Sequence, residues 1–131
     1  MKKLITIFNP NDPTPTAMSI RTHNPSEVHV LLVHHNEYSN TQKNALSRFK
    51  SWISGSIRPD VFPKHMWLPR MDWNSLAEMG TKVIYHHLDG IPSFDFATLG
   101  PHLVVDFFSG SKEMSVGLMA HLLETYPSNS K

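Results

Sequence analysis

A length of 131 residues points to one domain with one core, and 40% hydrophobic with 18% charged residues is ordinary globular composition, without the signature of a disordered chain. The formal net charge is +1, with lysines and arginines scattered along the chain, which argues against a domain that coats DNA or RNA and leaves a small anionic ligand compatible. There is no cysteine, which excludes disulfide staples, thiolate metal sites and a cysteine nucleophile.

The first element is Leu4 to Phe8 (LITIF), short, apolar and β-branched, which predicts a buried strand that stops at the loop Asn9-Pro10-Asn11-Asp12-Pro13. That apolar run is too short for a signal peptide, and no stretch approaches the roughly 20 apolar residues of a spanning helix, so no membrane segment and a cytoplasmic location are expected. Thr14-Pro15 opens a short helix through Ala17, Met18 and Ile20, because proline is tolerated in a first turn, and Asn24-Pro25 closes it. Val28 to His34 reads as a second strand. Ser39 or Asn40 then caps an amphipathic helix carrying Ala45, Phe49, Trp52 and Ile53, with Gly55 as terminator.

Residues 54–64 read as a loop, and Met66 to Leu68 as a short third strand. Asp72 is placed to cap a helix bearing Leu76, Met79 and Val83, with Gly80 inside it. Residues 90–100 are irregular around Pro92. Leu103 to Phe108 (LVVDFF) predicts a fourth strand, and Gly110 to Leu123 an apolar helix. The alternation predicts an α/β, Rossmann-like, mostly parallel sheet with helices on both faces. Residues 1–125 form this domain. The polar tail 126–131 is expected to fray, either as a natural end or as a cut before a second domain.

In such a sheet, ligands sit outside the carboxyl ends of the strands. The turn Ser109-Gly110-Ser111-Lys112, between a buried strand and a helix, is the most informative of the loops there. Small residues let the backbone approach a ligand, and the helix N-terminus offers unpaired N–H groups and a positive dipole end. Lys112 opposes that dipole, a conflict that a bound phosphate would remove. The alternative is that Ser109 is a cap and Lys112 a solvated lysine. Neither the GxxxxGK[ST] loop nor the GxGxxG fingerprint is present.

The segment Val105-Asp106-Phe107-Phe108-Ser109-Gly110-Ser111-Lys112-Glu113-Met114 resembles the strand-to-helix signature of CARF domains (CRISPR-associated Rossmann fold), close to V-N-L-T-G-G-T-K-x-M. Val105, Gly110, Lys112 and Met114 match, Ser111 replaces threonine, and Asp106 replaces asparagine. Phe108 stands where threonine is common, and Ser109 stands at the first glycine. The motif covers about ten residues, the layout nearly the whole chain.

The resemblance implies a homodimer whose pocket takes a cyclic oligoadenylate, cyclic tetra-adenylate favoured, in type III CRISPR antiviral signalling, controlling a fused or separate effector. It implies contacts from Ser111 and Lys112 to the phosphate–ribose ring, with Gly110 allowing close approach and Ser109 beside it. Asn9, Asn11 and Thr14 would line the same site, and Phe108 offers a stacking surface. Some members are metal-independent ring nucleases, in which a ribose 2′-OH attacks its own phosphate; Lys112 and Ser111 would then be the catalytic residues. No metal and no organic cofactor is called for. A flavodoxin-like mononucleotide-binding domain, unrelated to CRISPR defence, is the other reading.

The pairs His34-His35 and His86-His87 cannot each chelate one metal from a strand, because adjacent side chains point to opposite faces. His34 or His35, at the end of the second strand, is within reach of the pocket as a hydrogen-bond donor or general acid, the alternative being a structural or surface histidine. Asp106, in an apolar strand, is expected to order the adjacent loop. Met114, Leu118 and Leu122 read as core or as a dimer seam. Trp52, Phe49 and Ile53 read as core, and Trp67 and Trp73 as packing.

Overall fold

A computed structural model describes residues 2–53, 81–99, 103–107 and 109–125. Within them, strand β1 (Lys3–Ile7) leads to helix α1 (Thr14–His23), strand β2 (Glu27–Val33), helix α2 (Asn40–Ile53), strand β3 (Lys82–Leu88), strand β4 (Leu103–Val105) and helix α3 (Lys112–Thr125). Single 3-10 turns follow β2 (His35–Glu37) and separate β3 from β4 (Ile91–Ser93 and Phe96–Leu99).

The four strands form one sheet in the order β3-β2-β1-β4, every pair parallel. The register sets Leu4 beside Val28 and Val104, and Val28 in turn beside Val83. Alternation along the strands divides the apolar side chains between two faces. Leu4, Val28, Val30 and Leu32 pack with Ala17 and Ile20 of α1 and with Leu46, Phe49 and Ile53 of α2. Ile5, Ile7, Leu31 and Val33 pack with the 3-10 turns (Ile91, Phe94, Phe96, Leu99) and Leu118 of α3, and Met114 and Leu122 lie against this cluster. Helices therefore cover both faces, the predicted α/β arrangement. It explains why β1 and β2 read as nearly unbroken apolar runs.

The helix ends follow from local chemistry. Pro15 sits in the first turn of α1, and Asn24 closes that helix in the left-handed region at φ 43°, its N–H donating to the Ile20 carbonyl at 3.0 Å. Ser39 is the cap of α2. Its hydroxyl accepts the Gln42 N–H at 3.2 Å, while the Gln42 side-chain oxygen accepts the Ser39 N–H at 2.8 Å, a reciprocal capping box.

Two expectations are corrected. Val83 is not on a helix but in β3, because β-branched and aromatic residues of Lys82–Leu88 pair along the whole length of β2. The fourth strand ends at Val105 rather than Phe108, since the chain bends at Phe107 to reach α3. The expected third strand (Met66–Leu68), the Asp72-capped helix with Leu76, Met79 and Gly80, the loop 54–64, Gly55, Trp67, Trp73, the Trp52 side chain and the tail 126–131 lie outside the described residues.

Phe49 is 1% exposed and packs on Phe8 with ring centroids 5.1 Å apart. Phe49→Ala is expected to lower stability by about 3–5 kcal/mol, through lost transfer energy and the cavity left behind. A fall in the urea midpoint with unchanged slope would show it, and an unchanged midpoint would remove Phe49 from the core.

Candidate functional site

Strand order reverses at β1, which has β2 on one side and β4 on the other. In a parallel α/β sheet this is where a crevice opens beyond the carboxyl ends of the strands. The loop 8–13 leaves β1 there, residues 106–107 and 109–111 lie between β4 and α3 there, and α1 and α3 both begin there.

The turn is held to β1 by buried hydroxyls. Ser109 is 1% exposed, its Oγ 2.8 Å from Thr6 Oγ1 and accepting the Ile7 N–H at 3.0 Å. Thr6 Oγ1 also lies 3.2 Å from an Asp106 carboxylate oxygen and 3.4 Å from the Thr16 hydroxyl, which donates to the Ile7 carbonyl at 2.9 Å. The Asp106 N–H continues the ladder to the Ile5 carbonyl at 2.9 Å. Asp106, just past the end of β4, thus ties the start of the turn to β1 through Thr6 and Ile5. Ser115 ties α3 back to the same turn by donating to the Phe107 carbonyl.

Gly110 lies so close to β1 that an added Cβ would stand 2.9 Å from Ile7 Cγ2. The glycine is therefore required by packing against the strand. The helix cap is Ser111, not Ser109: its hydroxyl accepts the Met114 N–H at 3.2 Å. Ser111 and Lys112 are exposed. Gly110 and Lys112 border a groove of about 630 Å³ that continues along α3 past Ser115, Val116, Met119 and Leu123.

The structure brings the first loop to the same edge but shows its side chains bonded within the protein. Asn9 Oδ1 accepts the Asn11 N–H at 3.0 Å, and Asn11 Oδ1 accepts from the Gln42 amide at 3.1 Å, joining the loop to α2. The Thr14 N–H donates to Asp12 at 3.3 Å, leaving the Thr14 side chain partly buried at the start of α1. Phe108 lies outside the described residues. Thr6, Thr16 and Ser115 were not singled out by sequence reasoning, although Thr6, the polar residue inside LITIF, carried a signal: a buried hydroxyl needs a partner.

The histidines divide by strand face. His35 does not join the turn of β4 but faces α2 and β3, its ring 4.7 Å from His87 and 5.1 Å from Tyr38. Tyr38 is buried, its hydroxyl without a partner among the described residues, and burial pushes its pKa up to about 12. On the other sheet face a chain of contacts runs from Glu27 to His29 to His86. Glu27 accepts from His29 Nε2 at 2.6 Å, and His29 Nδ1 pairs with His86 Nε2 at 2.8 Å under stacked rings. Bonding to His29 lowers the Glu27 pKa. Burial, then the nearby His29 and His87, lower that of His86.

Two measurements test these arrangements. Ser109→Ala leaves the Ile7 N–H and Thr6 hydroxyl short of a buried partner and is expected to cost about 1–3 kcal/mol in chemical denaturation, whereas an unchanged midpoint would sink the clamp. His86 is harder to protonate folded than unfolded, so its contribution is fully present above its usual value of 6.5 and is lost as pH falls below it. Glu27 adds a further loss as pH falls below its usual 4.5. Stability curves against pH should flatten near neutrality in His86→Gln, and an identical slope would exclude His86 as the source. Comparison of the chain with family models, curated proteins and solved structures finds no match.

Proposed function

We propose that this domain binds a phosphate-bearing nucleotide ligand across the carboxyl ends of β1 and β4, and that the ligand is a cyclic oligoadenylate, cyclic tetra-adenylate first. The observation that carries the reading is the turn after β4. It is pinned to β1 through Ser109 and Gly110, so that Ser111 and Lys112 stand exposed at the N-terminus of α3 where the strand order reverses. N–H groups and a cation then lie together at a rigid edge, the arrangement that favours an anion.

In this reading the domain is the cytoplasmic sensor of an antiviral signal and acts on an effector, fused or separate. It works as a homodimer, for which the exposed stripe Val116, Met119 and Leu123 on α3 (69%, 48% and 54% exposed) supplies an apolar seam. Binding is favoured over cleavage, because the Ser111 hydroxyl already serves as the cap of α3.

Titration of cyclic tetra- and hexa-adenylate into wild type and Lys112→Ala tests it. Loss of the charge-assisted phosphate contact should weaken binding at least about tenfold, or about 1.4 kcal/mol. Equal affinity would remove Lys112 from the site, and no affinity for either ring would overturn the reading. Linear products without added metal would make the protein a ring nuclease.

A further inference from the structure

We propose a second ligand site, on the α2 side of the sheet, that takes a small molecule bearing two or more phosphate charges. It is a groove of about 460 Å³ lined by His35 and by Lys43, Leu46, Ser47, Lys50 and Ser51. The five α2 residues recur at three- and four-residue spacing and so present one face of the helix. His35 comes from the turn after β2 and closes the groove at the sheet edge. Among the described residues, no carboxylate lines the groove and neither lysine forms an ion pair.

Two features favour phosphate over a neutral ligand. Lys50 holds its ammonium 4.8 Å from the centre of the Tyr85 ring, which steadies a long side chain that would otherwise wander in solvent. Lys43 and Lys50 are two turns apart, roughly 10 Å along the helix axis, a span that suits two phosphate groups and exceeds a single one. Cationic neighbours also act on His35: burial first, then His87 of β3 and Lys50 and Lys43 of α2, hold its pKa down. An anion among these groups reverses the charge effect, so binding draws a proton onto His35 and strengthens as pH falls through the histidine range.

The site is separate from the turn at Lys112, and the test keeps the two apart. Inorganic pyrophosphate is titrated into the full chain while amide and histidine-ring resonances are followed by NMR. Saturable shifts over residues 43–51 and at His35 are expected, with a higher His35 pKa in the bound state. Lys43→Gln/Lys50→Gln should weaken binding at least about tenfold. Arg48→Gln, an exposed cation on the same helix that does not line the groove, should leave it unchanged. Shifts confined to residues 109–113, shifts that never saturate, or equal affinity in the double variant would overturn the proposal. If the double variant fails to fold, the location of the wild-type shifts and the His35 pKa decide: shifts elsewhere, or no rise in that pKa, overturn it.

Discussion

The structure depends on satisfying the polar groups of a strand that no water reaches. β1 is covered on both faces and paired along both edges, and Leu4, Ile5, Ile7 and Phe8 have no exposed surface. Thr6 sits among them, also without exposed surface. An unpaired hydroxyl or N–H there would cost about 1–3 kcal/mol, so the residues that reach it are constrained in identity and position. Ser109, Thr16 and Asp106 are those residues: Ser109 and Asp106 come from the turn that follows β4, and Thr16 from the first turn of α1. The same bonds that hold the sheet together fix the turn at its rim.

That coupling explains how a short, mostly apolar domain can present charge at a defined place. A turn left to itself would sample many conformations, at an entropic cost on binding. Here Ser109 anchors the turn from beneath, Gly110 lets it lie against Ile7, and Ser111 starts α3. Lys112 follows from a preordered backbone. The residues around it thus have distinct tasks: two are used up in holding the turn, one caps the helix, and the cation faces out.

The histidines show the same division by strand geometry. His86 and His87 are neighbours in the chain and belong to different faces. One stacks on His29 inside the sheet, and the other meets His35 at the α2 groove. Two electrostatic environments arise from one dipeptide. Glu27 pairs with His29, the partner of His86, while Lys50 and Lys43 act on His35, the partner of His87.

Much of this was legible in local pattern. The apolar runs at Leu4–Phe8 and Val28–His34, the proline at the start of α1, a cap for α2 at Ser39 or Asn40 and the strand-to-helix turn at Ser109–Lys112 are each read within a few residues, from period, caps and backbone freedom. What local pattern does not contain is who lies beside whom. β3 was misread because Val83 stands at helical spacing from Leu76 and Met79, and only pairing with β2 reveals a strand. Ser109 and Ser111 are equivalent by residue type, and only the distance to Thr6 separates an anchor from a cap. The second strand ends at Val33 rather than at His34, and the side to which the His35 ring turns is set by His87 and α2, more than 50 residues away for the former. Sequence determined the elements and the chemistry on offer. Tertiary structure decided which groups are spent on each other and which remain for a ligand, because burial and hydrogen bonding are properties of neighbours brought together from distant parts of the chain.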